Sequence, residues 1–272
     1  MRINWYPGHM TKATRMMQAE AQFADMFILV LDSRAVIASQ NPEFFRIAGG
    51  KPILYVLNKS DMVERNHLDL WVRHFQKIGA NFVLSDSTAT KSRNQIIKIL
   101  KGMAAKKHAK YVALGIKKTC RVIVFGVPNS GKSTLINCLA GSAKTNTGNK
   151  PGVTRGKQWV NLGDGLELLD TPGTLPPNIN DERASTNLAI IGSINDDIID
   201  KIELAQELSA ILNLQNGDED VLAKTAIERG FLQKGGTPDI LRSANYLIDA
   251  FRKQRLGKIM LETPDMLTSE ED

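Results

Sequence analysis

GVPNSGKS, which spans Gly126 to Ser133, matches the pattern G-x-x-x-x-G-K-[ST] at every fixed position. The stretch follows the apolar run Val122–Phe125 and precedes TLINCL at 134–139, so a predicted strand leads through it into a predicted helix. In that setting the backbone N–H groups of the loop and the helix N-terminus can hold phosphate oxygens. The sequence therefore predicts a phosphate-binding loop at the end of a buried strand.

Individual side chains of this loop have expected roles in binding a nucleotide. We expect Lys132 to reach the β- and γ-phosphates and the Ser133 hydroxyl to ligate Mg²⁺. The other residues that we assign to the nucleotide site in this loop are Asn129, Ser130, Gly131 and Thr134.

A second motif, D-x-x-G, lies downstream as Asp170-Thr171-Pro172-Gly173. Asp170 follows the predicted strand Leu166–Leu169, where a carboxylate can hold the Mg²⁺ shell through water. The Gly173 N–H can contact the γ-phosphate, because glycine allows a close backbone approach. Thr154 lies between the two motifs, and its hydroxyl is the expected second protein ligand of Mg²⁺ in the triphosphate state.

The tetrapeptide Asn58-Lys59-Ser60-Asp61 follows the predicted strand Ile53–Leu57 and indicates a guanine-binding loop. A carboxylate at Asp61 accepts two hydrogen bonds from guanine, whereas adenine lacks that pair of donors and leaves the charge unpaired. Lys59 can lay its aliphatic stem over the base, and Asn58 can tie this loop to the phosphate loop. GTP and GDP are therefore the expected ligands, and an ATP-using enzyme is disfavoured.

A further base-side loop is expected after the next predicted strand, Phe82–Leu84. Asp86 and Ser87 occupy that place, although the segment departs from the usual Ser-Ala-Lys pattern.

The motifs occur in an unusual order, because Asp61 precedes Gly126. The same sheet can form if the usual chain ends are joined and new ends open in a surface loop. Continuous apolar runs are typical of parallel strands covered by helices, and helical spacing appears at 68–78 and 94–103. The predicted strands are Phe27–Leu31, Ile53–Leu57, Phe82–Leu84, Val122–Phe125 and Leu166–Leu169.

The pattern changes after Pro176-Pro177, since no strand-like run occurs from about 184 to 260. Thr237-Pro238 predicts a helix start, and Gly257 predicts the end of that segment. We therefore expect an α/β domain over residues 1–177 and a small all-helical domain over 178–272. The helical stripes consist of Ile198, Ile202, Ala205, Leu208 and Leu212, and of Leu241, Ala244, Ile248 and Phe251.

Composition limits the class of protein. The chain has 272 residues, 42% of them hydrophobic and 24% charged, so a packed core is expected and wholesale disorder is not. The net charge of +6 favours a polyanionic partner. The two cysteines form no disulfide framework, the start lacks a secretion signal, and no apolar run approaches the length of a membrane span. We expect a cytoplasmic monomer without membrane contact.

The chain resembles the circularly permuted GTPases, and specifically the ribosome biogenesis GTPase A family. Beyond the order of the nucleotide motifs, the resemblance lies in three stretches. They are Trp5-Tyr6-Pro7-Gly8-His9-Met10, then Asp32-Ser33-Arg34 with Asn41-Pro42, and Lys234-Gly235-Gly236-Thr237-Pro238-Asp239 with Phe251-Arg252 and Leu256-Gly257. Ser33 and Val36 depart from the alanine and proline that are usual in the second stretch. The resemblance implies a Ras-like P-loop GTPase domain, a helical RNA-binding domain, and assembly of the large ribosomal subunit.

Charge alone gives weaker support for RNA. From Lys224 to Lys258 there are eight basic and three acidic residues, and basic side chains can neutralise phosphates without reading bases. A solvated helix face explains the same pattern, so it is the resemblance that favours rRNA. On that reading Arg252, Lys253 and Arg255 are expected to contact rRNA phosphates.

The residue that orients the attacking water is not evident. Thr174 follows Gly173 where Ras-like proteins carry glutamine, so we expect slow hydrolysis that the ribosome stimulates, and a nucleotide-sensing scaffold with negligible hydrolysis remains an alternative. His9 is the candidate within the chain for orienting the water, although a structural histidine is equally consistent. We assign His9, Lys132 and Gly173 to catalysis. Related GTPases also use an asparagine at the position of Asn129 to bind K⁺, and turn geometry is the alternative reason for it.

Overall fold

A six-stranded sheet in the order β3-β2-β1-β4-β6-β5 organises the structure, a computed structural model. The structure describes residues 8–86, 90–116, 118–141, 158–163, 165–176, 181–214 and 220–267. All neighbouring strands are parallel except β5, which runs antiparallel to β6. The strands are β1 Met26–Asp32, β2 Ile53–Asn58, β3 Asn81–Ser85, β4 Cys120–Gly126, β5 Gln158–Gly163 and β6 Leu166–Asp170.

The five predicted strands are confirmed, each with slightly wider bounds. Every residue of β1 is buried, as expected for a central parallel strand covered on both faces. The sequence prediction missed β5, because an edge strand with one solvated face is not a continuous apolar run. Val160 of β5 is buried, whereas the next residue, Asn161, is exposed.

Helices cover both faces of the sheet and then form a separate layer. Those of the sheet region are α1 Gly8–Ala21, α2 Pro42–Ala48, α3 Arg65–Lys77, α4 Thr90–Ala113 and α5 Lys132–Ala140, and those beyond it are α6 Glu182–Ile190, α7 Lys201–Ile211, α8 Val221–Arg229 and α9 Ile240–Arg252. Short 3₁₀ turns lie at Ser60–Met62, Asp196–Ile198 and Pro264–Leu267. Within the described ranges, none of these helices has the length and apolarity needed to cross a bilayer.

Three details of the predicted helices are wrong, two of them because aspartate caps fix the helix starts. Asp200 caps α7, so Ile198 lies before the helix and is 48% exposed. Asp239 caps α9 by accepting a hydrogen bond from the Arg242 backbone, so this helix does not start at Thr237-Pro238. Leu241, which was expected on the buried face of α9, is exposed.

One hydrophobic core joins the helical layer to the carboxyl edge of the sheet. Leu188, Leu204 and Leu247 of the helical layer share it with Val127 of the phosphate loop and Leu175, which follows the D-x-x-G motif. The helices therefore pack directly on the loops that carry the nucleotide motifs. We retain the division at 177/178 as a proposal, and residues 177–180 lie outside the described part of the chain.

Residues 261–267, here called the C-terminal strap, return from the helical layer to the sheet region. The Leu261 N–H donates to the Arg34 carbonyl at 2.7 Å, in the loop that follows β1. The indole N–H of Trp71 in α3 donates to the Glu262 carbonyl at 3.2 Å. The helical layer is thus held at its C-terminal end as well as by its covalent connection to β6.

The Glu262 carboxylate fills a buried polar pocket between the two regions. It accepts hydrogen bonds from the Ile37 and Ala38 backbone N–H groups, and from the Asn187 amide of α6 at 2.8 Å. Burial raises the pKa of Glu262 to about 7, although the hydrogen bonds from Asn187, Ala38 and Ile37 oppose that rise.

This raised pKa makes the free energy of unfolding depend on pH. The folded chain binds a proton at Glu262 that the unfolded chain has released, so the group stabilises the fold most below its ordinary pKa of 4.5. We expect that stabilisation to be lost as pH rises through about 7, with an upper bound of about 3 kcal/mol. Urea unfolding of wild type and Glu262→Gln between these pH values measures the difference.

Glu64→Gln is the matched control, because Glu64 is exposed. The pH dependence of its stability should follow that of wild type. Parallel pH curves for wild type and Glu262→Gln would contradict the assignment.

Candidate functional site

The nucleotide motifs meet at one edge of the sheet. The phosphate loop follows β4, the N-K-x-D segment follows β2, and the D-x-x-G segment follows β6. Because β1 lies between β2 and β4 and all four strands are parallel, their carboxyl ends share that edge. Such an edge is the usual ligand site of open α/β sheets.

Asn58 ties the base loop to the phosphate loop, as the sequence predicted. Its Nδ2 donates to the Ser130 carbonyl at 2.8 Å. Gly131 lies at φ +93° directly against this amide, and a Cβ there would clash with Asn58 Nδ2. Glycine is therefore required at 131 both by its backbone conformation and by the close approach of Asn58.

Lys132 is a buried cation at the start of α5. Its Nζ donates to the Val127 carbonyl at 2.8 Å, inside the phosphate loop. Burial lowers the pKa of Lys132 to about 8, and the nearby Asp170 carboxylate partly offsets that effect. Phosphate oxygens placed in this loop would supply the negative charge that favours the protonated ammonium.

The Mg²⁺ ligands expected from sequence are partly brought together. Ser133 Oγ lies 3.4 Å from Asp170 Oδ2, and Asp170 is fully buried. Both are hard oxygen donors, Ser133 in the first turn of α5 and Asp170 at the end of β6, and their spacing fits a Mg²⁺ that retains several waters and phosphate oxygens as further ligands. No described residues form a cluster of three or more histidine, cysteine or acidic side chains suited to a metal. Thr154 lies outside the described residues.

Gly173 lies directly on the phosphate loop. A Cβ at this position would be 2.8 Å from Lys132 Nζ and 2.8 Å from the Cα of Pro128. This close packing places the Gly173 backbone beside the lysine that is expected to hold the γ-phosphate.

A buried carboxylate that we did not assign to the site organises the base loop. Lys59 Nζ donates to Asp32 Oδ2 at 2.8 Å and to the Asn129 carbonyl at 2.7 Å. The Arg34 guanidinium donates two hydrogen bonds to the same carboxylate, at 2.9 and 2.7 Å. Burial opposes the charge on Asp32, but Arg34 and Lys59 hold the pKa of that carboxyl far below its usual range. One feature of the sequence could have revealed this role: Asp32 is an acidic residue at the end of β1, the strand between β2 and β4.

The remaining base-side residues are less enclosed. Ser60 and Asp61 form a 3₁₀ turn, and the Asp61 side chain is exposed. The side-chain amide of Gln254 donates to the Asp61 carbonyl at 3.1 Å, so the segment after α9 contacts this loop. Asp86 follows β3 and its N–H donates to Ser92 Oγ at 3.1 Å, whereas Ser87 lies outside the described residues. Thr134, in the first turn of α5, is partly exposed.

The phosphate loop is hydrogen-bonded to the helical layer. Asn129 Nδ2 donates to the Gly192 carbonyl at 2.6 Å, and Ser193 Oγ donates to the Pro128 carbonyl at 2.8 Å. Both partners lie just after α6. The Asn129 amide is therefore used in this contact, which the sequence did not reveal.

Arg252 stabilises the same turn instead of facing solvent. It donates to the Ala189 and Ile190 carbonyls at the end of α6 at 2.7 and 2.9 Å, and it pairs with Asp196 at 2.8 Å. This internal role replaces the phosphate contact that we expected for Arg252.

The described residues next to Gly173 do not resemble a water-orienting glutamine. Thr174 is fully buried, and Leu175 belongs to the core that joins the helical layer to the sheet. His9 lies in the first turn of α1, and its side chain is outside the described part of the structure.

Known proteins resemble this chain over most of its length. A model of the 50S ribosome-binding GTPase family matches residues 121–229. Ribosome biogenesis GTPase A of Bacillus cereus is 34% identical over 97% of this chain and 95% of its own length. The protein of the same name from Thermotoga maritima is 32% identical, over 98% of this chain and 96% of its own.

A solved structure shares the architecture. GNP-bound YlqF from T. maritima superposes with a TM-score of 0.69 at 27% identity, and the match covers 93% of this chain and 99% of that one. With this similarity over nearly its whole length, and with the sheet and motif order described above, the chain belongs to the ribosome biogenesis GTPase A family of circularly permuted, GTP-hydrolysing proteins.

Proposed function

We propose that this GTPase is a molecular switch that binds the large ribosomal subunit through rRNA and assists a step of its assembly. It acts as a cytoplasmic monomer, and the helical region over 178–272 supplies the RNA contacts. The names of its relatives support a ribosomal role, and the basic charge of the chain fits an RNA partner.

The observation that carries the proposal is the direct contact between the nucleotide loops and the helical layer. The phosphate loop bonds to Gly192 and Ser193, and the base loop bonds to Gln254. A nucleotide that shifts either loop must therefore alter the contacts on which the helical layer rests. GTP and GDP can therefore favour different positions of the RNA-binding region.

The site residues divide into groups with distinct proposed roles. Lys132 and the backbone N–H groups of the phosphate loop bind the β- and γ-phosphates, and Gly173 reports the γ-phosphate. Ser133, Asp170 and Thr154 hold Mg²⁺, which neutralises charge on the phosphate oxygens when bound. The base is held by Asn58, Lys59, Ser60, Asp61, Asp86 and Ser87, and the phosphates also by Asn129, Ser130, Gly131 and Thr134.

Guanine selection should depend on Asp61. Asp61→Asn replaces an acceptor of two hydrogen bonds with an amide, so GTP affinity should fall by about a hundredfold or more while affinity for xanthosine triphosphate rises. Titration of wild type and Asp61→Asn with fluorescent forms of the two nucleotides measures these affinities. Asp69→Asn, in α3, is the matched control and should bind GTP as wild type does. Equal GTP affinity of wild type and Asp61→Asn would show that the base lies elsewhere.

A K⁺ ion beside Asn129 is part of the proposal. A cation there would stabilise charge that develops between the β- and γ-phosphates, so GTP turnover should be faster in KCl than in NaCl at equal ionic strength. The Asn129 side chain would ligate such an ion through Oδ1, because Nδ2 is a donor and is bonded to the Gly192 carbonyl. Equal turnover in the two salts would remove K⁺ from the mechanism.

Large ribosomal subunits should stimulate turnover, and His9 should be needed for that stimulation. A neutral imidazole can accept a hydrogen bond from the attacking water, and loss of such a group typically slows a reaction by about a hundredfold or more. GTP turnover of wild type and His9→Ala, with and without subunits, tests both points. His67→Ala, a histidine change in α3, is the control for folding.

The two parts of this prediction fail differently. Wild-type turnover that subunits do not change would contradict the ribosomal switch. Full stimulation of a folded His9→Ala variant would contradict only the role of His9, and the ribosome would then orient the water.

A further inference from the structure

Three arginines lie against two aromatic rings where α8 ends and α9 passes it. The guanidinium carbon of Arg242 is 4.4 Å from the centre of the Phe231 ring. Those of Arg229 and Arg255 are 4.6 and 5.2 Å from the centre of the Tyr246 ring. The rings meet edge to face with centres 5.7 Å apart, so the five side chains form one cluster, here called the arginine face.

The arginine face is at the surface. All of its arginines are exposed, and its two rings are half-buried. Each guanidinium lies against a ring while its arginine remains exposed, so part of each planar group is open to a ligand. Because the ring already restricts the arginine rotamer, less conformational entropy is lost when a ligand binds.

The charge around this face is positive. Of the three acidic residues between 224 and 258, Glu228 is exposed next to Arg229 in the sequence, Asp239 is used as the cap of α9, and Asp249 pairs with Lys253 and Arg255. Arg229 and Arg242 have no ion-pair partner among the described residues. The face therefore combines a positive potential, which attracts a polyanion, with flat groups on which planar ligands can stack.

We propose that the arginine face binds an RNA segment whose bases are unpaired. Phosphates accept hydrogen bonds from the guanidinium groups, and bases stack on the free guanidinium planes and on the accessible parts of the rings. Duplex RNA offers phosphates but keeps its bases inside the helix, and an acidic peptide offers charge without flat faces. The inference rests on the proposed binding of rRNA and adds the kind of rRNA structure that is recognised.

Replacing all three arginines with lysine separates stacking from charge. The full-length triple variant Arg229→Lys, Arg242→Lys, Arg255→Lys keeps its charge but loses its planar groups. Fluorescence anisotropy with a labelled, unstructured single-stranded RNA and a blunt RNA duplex of equal length gives the two affinities. Wild type should prefer the single strand, and the lysine variant should bind that strand at least about tenfold more weakly while its duplex affinity changes little.

The matched control changes Arg46, Arg65 and Arg73 to lysine, all exposed in the sheet region, and should bind both RNAs as wild type does. Circular dichroism confirms that the variants fold. Equal affinity of wild type for both RNAs, or an unchanged single-strand affinity in the lysine variant, overturns the inference but leaves the proposed function intact. If wild type binds neither RNA, the inference fails, and co-sedimentation with large ribosomal subunits then shows whether the proposed function fails with it.

Discussion

The buried carboxylate of Asp32 is the interaction on which the rest of the site depends. It holds Lys59 and Arg34 at once, so the base loop and the segment after β1 meet at one charge. Lys59 also donates to the Asn129 carbonyl of the phosphate loop. The Arg34 guanidinium lies 5.5 Å from the centre of the Phe251 ring in α9. Leaving such a charge unpaired in the interior typically costs about 3–5 kcal/mol, so the loops are bound to a common arrangement.

The permuted order changes the connections but not the convergence of the motifs. Parallel strands bring their carboxyl ends to one edge whatever the order in which the chain visits them. What the permutation does change is where the chain goes after Gly173. Because β6 now leads into the helical layer, the segment beside the γ-phosphate position is covalently continuous with α6. The region that is expected to bind RNA is therefore attached directly to the region that is expected to read the nucleotide.

The sequence predicted features that depend on local pattern and missed those that depend on distant contacts. Apolar runs identified the parallel strands, whereas β5 alternates too briefly to be recognised by that criterion. The loop motifs were recognised from the sequence because phosphate and guanine chemistry dictates their residue types and spacing. The roles of Asp32 and Glu262 were not, since each pairs with groups from segments far along the chain. Arg252 was misread for the same reason, because its acceptors lie on the end of a different helix.

The C-terminal strap gives the helical layer two fixed points at its ends, in addition to its packing against the nucleotide loops. One point is the covalent connection after β6, and the other is Glu262 in its pocket. A displacement that keeps both points while the contacts with the nucleotide loops change must turn the layer about the line that joins them. Any other displacement must first withdraw the carboxylate from its backbone donors. The parts of the layer farthest from that line consequently travel the longest arc for a given shift of the nucleotide loops.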